Sequence, residues 1–361
     1  MSKHKTDTRQ HLLPLDTMSI GNSLNETLLK QLTVRELLIR RYLLLYKGYI
    51  SKVSEEAASS VQDDKALKLS IDNVSFLTKM LPGVANIAID QVWNSLVQSL
   101  VDITQSENNF LNTLFPTILQ SIPNEIRRYE YLPSDFSIDS STILFNSTLD
   151  NSREIMYLEA IKLIQHEANT QLYLGNSSVP NLVSEVFNRL SNIMFNRVSL
   201  AIHTTRSLMR RKNLVDNAIV FDGFKLYTFE TRAGGRGNNC KELSKQLFTQ
   251  QTIPNLPSHV GCSSFMVPLV DKSIDATVPE LHLETFVNSL QPQQQKFVLG
   301  ATRVKYISNL KQFNHVFRPV VINGIFSQKK LQPEYMKLEQ VDQQFTNIPI
   351  ATTETIGGEV T

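Results

Sequence analysis

Residues 198–229 read VSLAIHTTRSLMRRKNLVDNAIVFDGFKLYTF, and the period of the apolar positions changes inside that stretch. Up to Leu214 they recur at helical three- and four-residue steps. From Asn217 the order is Ile219-Val220-Phe221, then Asp222-Gly223, then Phe224 to Phe229, which predicts two short strands joined by a two-residue turn. A helical part therefore gives way to a mixed one. The fold class expected is α+β, with a predominantly helical N-terminal region and a mixed, hairpin-containing C-terminal region.

Working outward toward the N-terminus, helical spacing over Asn181 to about Leu214 and over Glu154 to about Leu174 predicts two helices, with Asn181 and Ser152 as capping residues. Residues 153–215 form the region carrying them, and the Ser/Asp/Asn-rich segment 134–152 reads as a connection and a boundary. Before it, 23–133 reads as a helical domain. Ser23 to Glu26 offers a capping box for a helix from Leu28 to about Val53. Pro82-Gly83 predicts a break, after which Ile89, Val92, Trp93, Leu96, Val97 and Leu100 mark an amphipathic helix. Residues 1–22, interrupted by Pro14 and Gly21, read as an arm. Toward the C-terminus, 216–333 is a mixed α/β region with strand-like runs at Phe265 to Val270 and Phe297 to Ile307 and a second hairpin pattern at Pro319 to Phe326 around Asn323-Gly324. An acidic tail, 334–361, follows, with Glu334, Glu339, Asp342, Glu354 and Glu359 against Lys337 alone.

The 361 residues are 41% hydrophobic, enough for a substantial core, yet only 19% charged, below the roughly 25% of ordinary domains. Ser, Thr, Asn and Gln supply the remaining polar surface, which is cheaper to desolvate than ions and suits contacts between copies. The basic, polar start has no apolar stretch of a secretory signal, and Arg40 and Arg41 interrupt the run Leu37 to Tyr46, so no membrane span is expected. Two cysteines, Cys240 and Cys262, are too few for a disulfide framework. The expected compartment is the cytoplasm, or a host cytoplasm or virion if the source is viral.

The sequence carries no recognisable catalytic motif. His166-Glu167 lacks the second histidine of a zinc-protease helix, because Thr170 stands there. Cys240, His259, Cys262 and His282 have metal-binding chemistry but not the paired short spacings of a structural zinc site. Gly261-Cys262-Ser263 offers a thiol with His203, His259, His282 or His315 as base, with nothing in the spacing to join them. No nucleophile elbow occurs. The glycine-rich loop 233–239 lies between a predicted strand and a short helix, where backbone N–H groups can converge on an anion beside Arg232, Arg236 and Lys241. Its spacing is neither that of a Walker A loop nor that of a dinucleotide fingerprint. No cofactor and no catalytic or metal-binding residue is assigned.

Charge segregation is the stronger signal, hidden by a net charge of +2. No acid lies between Glu185 and Asp216, a stretch holding Arg189, Arg197, Arg206, Arg210, Arg211 and Lys212. His203, Arg206 and Arg210 share one helical face, which predicts a cationic stripe beside a packed one. No acid lies between Glu284 and Glu334 either, where Lys296, Arg303, Lys305, Lys311, Arg318, Lys329 and Lys330 alternate with Phe297, Tyr306, Phe313 and Phe317. Cations following phosphates and rings stacking bases are what single-stranded nucleic acid requires. The candidate nucleic-acid contacts are Arg189, Arg197, His203, Arg206, Arg210, Arg211, Lys212, Arg232, Arg236, Lys241, Arg303, Lys305, Tyr306, Lys311, Phe313 and Arg318. The expectation is a non-enzymatic, self-assembling protein binding single-stranded RNA, such as a viral nucleoprotein, capsid component or viroplasm-type protein. The alternatives are a structural assembly protein that binds no nucleic acid, and an enzyme using the glycine-rich loop for a phosphorylated ligand.

Overall fold

The computed structural model describes residues 15–61, 69–122, 129–139, 141–144, 147–175, 178–227, 238–244, 246–256, 258, 264–270, 287–288 and 290–299. Four long helices carry the molecule: α1 (Leu15–Val61), α2 (Ile71–Gln120), α3 (Leu149–Leu174) and α4 (Val179–Asp216). A short ribbon of β1 (Ile143–Leu144) and β2 (Ser147–Thr148) precedes α3. After α4 come a 3-10 turn (Ala218–Val220), β3 (Gly223–Tyr227), α5 (Asn238–Leu243), β4 (Leu247–Phe248), β5 (Phe265–Leu269) and α6 (Pro292–Leu299). The class is α+β with a helical N-terminal region, as the change of period predicts.

The helix ends differ from those expected, each for a local reason. α1 begins before the Ser23 capping box and runs through Gly21, whose cost of about 1 kcal/mol relative to Ala does not stop a helix of 47 residues. α2 does not break at Pro82-Gly83, and contains both Pro82 and Pro116. Each proline removes one backbone hydrogen bond, but buried residues on both sides, Leu77 and Leu81 before Pro82 and Ala85, Ala88 and Ile89 after it, hold the helix to the core. The cap of α3 is Thr148 rather than Ser152, and that of α4 is Ser178 rather than Asn181. In α2, α3 and α4 alike the cap hydroxyl accepts from the backbone N–H three residues on, namely Asn73, Asn151 and Asn181. Gly175 closes α3 with φ of 71°, in the left-handed region where a side chain would be strained.

Within the described residues, Ile219 to Tyr227 does not form the expected hairpin. The Asp222 N–H donates to the Leu269 carbonyl at 2.9 Å, so Asp222-Gly223 opens a strand instead of turning one. β3 is the centre of an antiparallel sheet of order β4-β3-β5, with Gly223 opposite Leu269, Tyr227 opposite Phe265 and Phe224 opposite Phe248. A Cβ at Gly223 would lie 3.3 Å from Leu247 Cδ1 and 3.4 Å from the Phe248 carbonyl oxygen, so the close approach of β4 favours glycine there. The run predicted at 265–270 is a strand over Phe265–Leu269, and Pro268 is tolerated because β5 is at the edge of the sheet formed by the described residues. The first residues of the run from Phe297 are helical instead, inside α6, and the hairpin pattern at 319–326 lies outside the described residues.

The segment 129–139 joins helices that share one core. It is held through amide side chains: Asn112 Nδ2 donates to the Ser134 carbonyl at 3.0 Å, Asn108 Nδ2 to that of Phe136 at 2.8 Å, and Asn217 Nδ2 to that of Leu132 at 2.9 Å. Among the described residues the apolar interior is in two pieces. One lies among all four long helices, from Ile39, Tyr46 and Val53 to Leu81, Trp93 and Ile103, with Met156, Ile164, Phe187 and Ile202. The other packs the start of α1 (Leu24, Leu28, Leu32) and the end of α2 (Leu111, Phe115, Leu119) against Met209, Leu214 and the sheet residues Phe224, Phe265 and Val267.

Candidate nucleic-acid interface

α4 is covered by α1, α2 and α3, and this decides what its basic residues can do. Its buried face is wide enough to take in Val198, Ile202, Thr205 and Met209 together with Arg206, Arg210 and Asn213. The outward cationic stripe expected of Arg206 and Arg210 is therefore not at the surface: they are only 2% and 5% exposed.

Buried cations need counter-charge, because leaving a guanidinium uncompensated in the interior costs several kcal/mol. Here it comes from α1 and α2. Arg206 Nη2 donates to Glu36 Oε2. Arg210 donates to Glu107 Oε2 from Nε at 3.1 Å and from Nη2 at 3.0 Å, and its Nη1 lies 3.7 Å from Glu36 Oε2. Arg35, beside Glu36 on α1, donates from Nε to Glu107 Oε1 at 2.6 Å and from Nη2 to the Ser106 hydroxyl at 2.6 Å. Glu36 and Glu107 are 0% exposed. Burial pushes both carboxyls up, but the guanidiniums outweigh it, Arg206 and Arg210 at Glu36 and Arg210 and Arg35 at Glu107, and hold both below the usual carboxylate range. With Thr33, Thr104, Asn108, Thr204 and Thr205, also buried, these groups form a polar layer between the two apolar cores.

His203 stands one turn before Arg206 at the edge of the layer, only partly accessible. Burial pushes its pKa down to about 4, the Arg206 charge adds to the fall, and Glu36 opposes it. The imidazole is neutral at pH 7.

The outer cations are mostly answered as well. Arg189 lies 2.6 Å from the buried Glu167 of α3 and donates to Glu185 at 2.7 Å. Arg197 donates to Glu159 of α3 at 2.6 Å, and Lys212 to Asp216 at 2.8 Å. Arg211 and Lys212 are exposed at the end of α4. A cavity of about 20 Å³ lined by Arg206, Ser207, Arg210, Arg211, Leu256, Phe265 and Met266 has room for a water molecule or so and not for a base. Lys241 lies on α5. Arg232, Arg236, Arg303, Lys305, Tyr306, Lys311, Phe313 and Arg318 lie outside the described residues, as does the glycine-rich loop up to Gly237.

Sequence reasoning missed Arg35, Glu36 and Glu107. The available signal was an adjacent charge pair inside the dense apolar run from Leu28 to Val53, where charge is tolerated only if paired. The His166-Glu167 pair divides, His166 being exposed and Glu167 buried against Arg189. Cys240 is buried with its Sγ 3.1 Å from the Ser258 hydroxyl, and the other members of the imagined zinc set lie outside the described residues. Among the described residues, no three His, Cys, Asp or Glu side chains are grouped to hold a metal ion, and no helix is long and apolar enough to cross a membrane. Comparison with protein-family models, curated proteins and solved structures finds no match.

Proposed function

We propose that the chain is a non-enzymatic, self-assembling protein that binds single-stranded nucleic acid, RNA foremost, in a role such as a viral nucleoprotein, capsid component or viroplasm protein in the host cytoplasm or virion. The observation that carries the reading is the acid-free run from Thr285 to Pro333, in which seven cations alternate with aromatic residues. Arg303, Lys305, Lys311 and Arg318 are its phosphate contacts and Tyr306 and Phe313 its stacking rings, with Arg211 and Lys212 at the exposed end of α4 as a second basic contribution. Arg206 and Arg210 have no part in it, being enclosed with Glu36 and Glu107. The test is a fluorescence-anisotropy titration with single-stranded RNA at several salt concentrations. Replacing Arg303, Lys305 and Lys311 with Ala should lower the slope of log affinity against log salt by about 0.7 per lost contact. Replacing Tyr306 or Phe313 should leave the slope nearly unchanged while weakening binding by about 1–3 kcal/mol. Absence of binding by the wild type at about 50 mM salt ends the proposal, since the electrostatic attraction is then near its strongest.

A second reading, assembly without nucleic acid, is favoured by one observation: Arg189, Arg197, Arg206, Arg210 and Lys212 all meet carboxylates of this same chain. A purified protein of large size with no absorbance excess at 260 nm supports that reading over the first.

A further inference from the structure

The small cavity between α4 and the sheet, about 20 Å³ in volume, is large enough for one occupant of a water molecule's size. Its polar wall is cationic. Arg206, Arg210 and Arg211 line it together with Ser207, its apolar wall includes Phe265 and Met266, and no carboxylate is among the described residues around it. Arg206 and Arg210 are buried, whereas Arg211 is exposed and Ser207 half-buried, so that side of the cavity lies toward solvent. Arg210 is the residue whose bonding is incomplete. Its Nε and Nη2 donate to Glu107, but its Nη1 is buried without a hydrogen-bond acceptor, and Glu36 Oε2 stands 3.7 Å away. A guanidinium can only donate, so an acceptor has to come from elsewhere. Burial, the largest influence, pushes the Arg210 pKa down; Glu107 and Glu36 oppose the fall, Arg206 adds to it, and the balance stays below the ordinary guanidinium value.

We propose that this cavity is a binding site for one small monovalent anion of chloride's size, held by Arg210 with Arg206 and Arg211 around it and the Ser207 hydroxyl as a further donor. Water is the poorer occupant. Its oxygen can accept from a guanidinium, but its own two protons find only the Ser207 hydroxyl oxygen as a strong acceptor among the described lining side chains. An anion accepts from several N–H groups at once, brings no proton that needs a partner, and supplies counter-charge where burial makes it most effective. The volume excludes phosphate, sulfate and organic anions such as gluconate. The site is independent of nucleic-acid binding, which draws on cations at the surface and on the run from Thr285 to Pro333.

Urea unfolding of the full-length protein, with sodium chloride exchanged stepwise for sodium gluconate at constant ionic strength, tests the site. A ligand of the folded state lowers the unfolding constant, which should fall by up to about tenfold for each tenfold rise in chloride once the site fills, and bromide should act likewise. Ser207→Asp supplies a carboxylate to the cavity and Ser207→Leu fills it with apolar bulk. Either variant should be indifferent to the exchange of chloride for gluconate. Crystals grown in bromide locate the ion directly, with an anomalous peak expected against Arg210. Indifference of the wild type to chloride, undiminished chloride dependence in a folded Ser207 variant, or bromide only at surface positions overturns the proposal. If neither variant folds, the wild-type titration and the bromide position decide.

Discussion

Glu107 accepts from Arg35 on one oxygen and from Arg210 on the other, and it is the point at which α1, α2 and α4 meet in a single group. Removing it takes away the carboxylate to which Arg35 and Arg210 both donate, leaving Glu36 at 3.7 Å from Arg210, and breaking such a buried ionic group costs about 3–5 kcal/mol in comparable sites. Glu107→Ala should therefore lower the free energy of unfolding by about that amount in a urea titration. Arg197→Ala, which breaks a partly exposed pair with Glu159, should cost about 1 kcal/mol or less. Equal losses in the two variants would show that the layer is ordinary surface electrostatics. Glu36 and Glu107 are depressed in the fold, so their contribution is present above about pH 4.3, where an unfolded Glu ionises, and is lost as pH falls below it. The urea midpoint of the wild type should drop steeply below that pH, and in Glu107→Gln the drop should be shallower, because one of the two protonating sites is gone.

At the scale of elements, the amide-rich composition has a concrete use. Asn217, just past the end of α4, accepts from the Leu132 N–H at 2.6 Å and donates to the Leu132 carbonyl at 2.9 Å, so one side chain stands in for a strand partner. Asn112 does similar work at Ser134 and Tyr131. Asn217→Ala leaves the backbone of Leu132 unpaired and should cost about 1–3 kcal/mol, with faster amide exchange confined to 129–139. Unchanged exchange there would mean that the segment is held by other contacts. Ser70→Ala removes the cap of α2 and should cost about 1 kcal/mol by thermal or urea unfolding. Helix existence was legible in the sequence because Trp93, Leu96 and Leu100 repeat at helical spacing whatever surrounds them. The continuity of α2 through Pro82 was not, because the local cost of proline is written in the sequence and the burial of Leu81 and Ala85 that offsets it is not.

For the molecule as a whole, the acid-free stretch of α4 is segregated only along the chain. In space its cations meet Glu36, Glu107, Glu159 and Glu167, contributed by three other helices. Self-association is the whole-molecule prediction, and sedimentation at micromolar concentration checks it. A species larger than 41.0 kDa is expected, and a single species of that mass at every concentration would sink the idea. Exposed apolar side chains such as Phe76 and Ile87 on the outer face of α2 are the first to probe, and Phe76→Ser with Ile87→Ser should lower the sedimentation coefficient if that face joins copies.

The sequence alone determined that helices precede strands, that Phe265 to Leu269 is a strand, and where most of the apolar core comes from, since periodicity is a local property. Tertiary structure alone decided that Arg206 and Arg210 are interior ions, that Asp222-Gly223 enters a central strand, and that a polar layer parts the core in two. Each depends on a partner far away in the chain: Arg206 meets Glu36 at a separation of 170 residues, Arg210 meets Glu107 at 103, and Asp222 donates to Leu269. The burial of a charge or the pairing of a strand is an energy shared between two places. Reading one of them gives the chemistry of a residue and leaves its surroundings open.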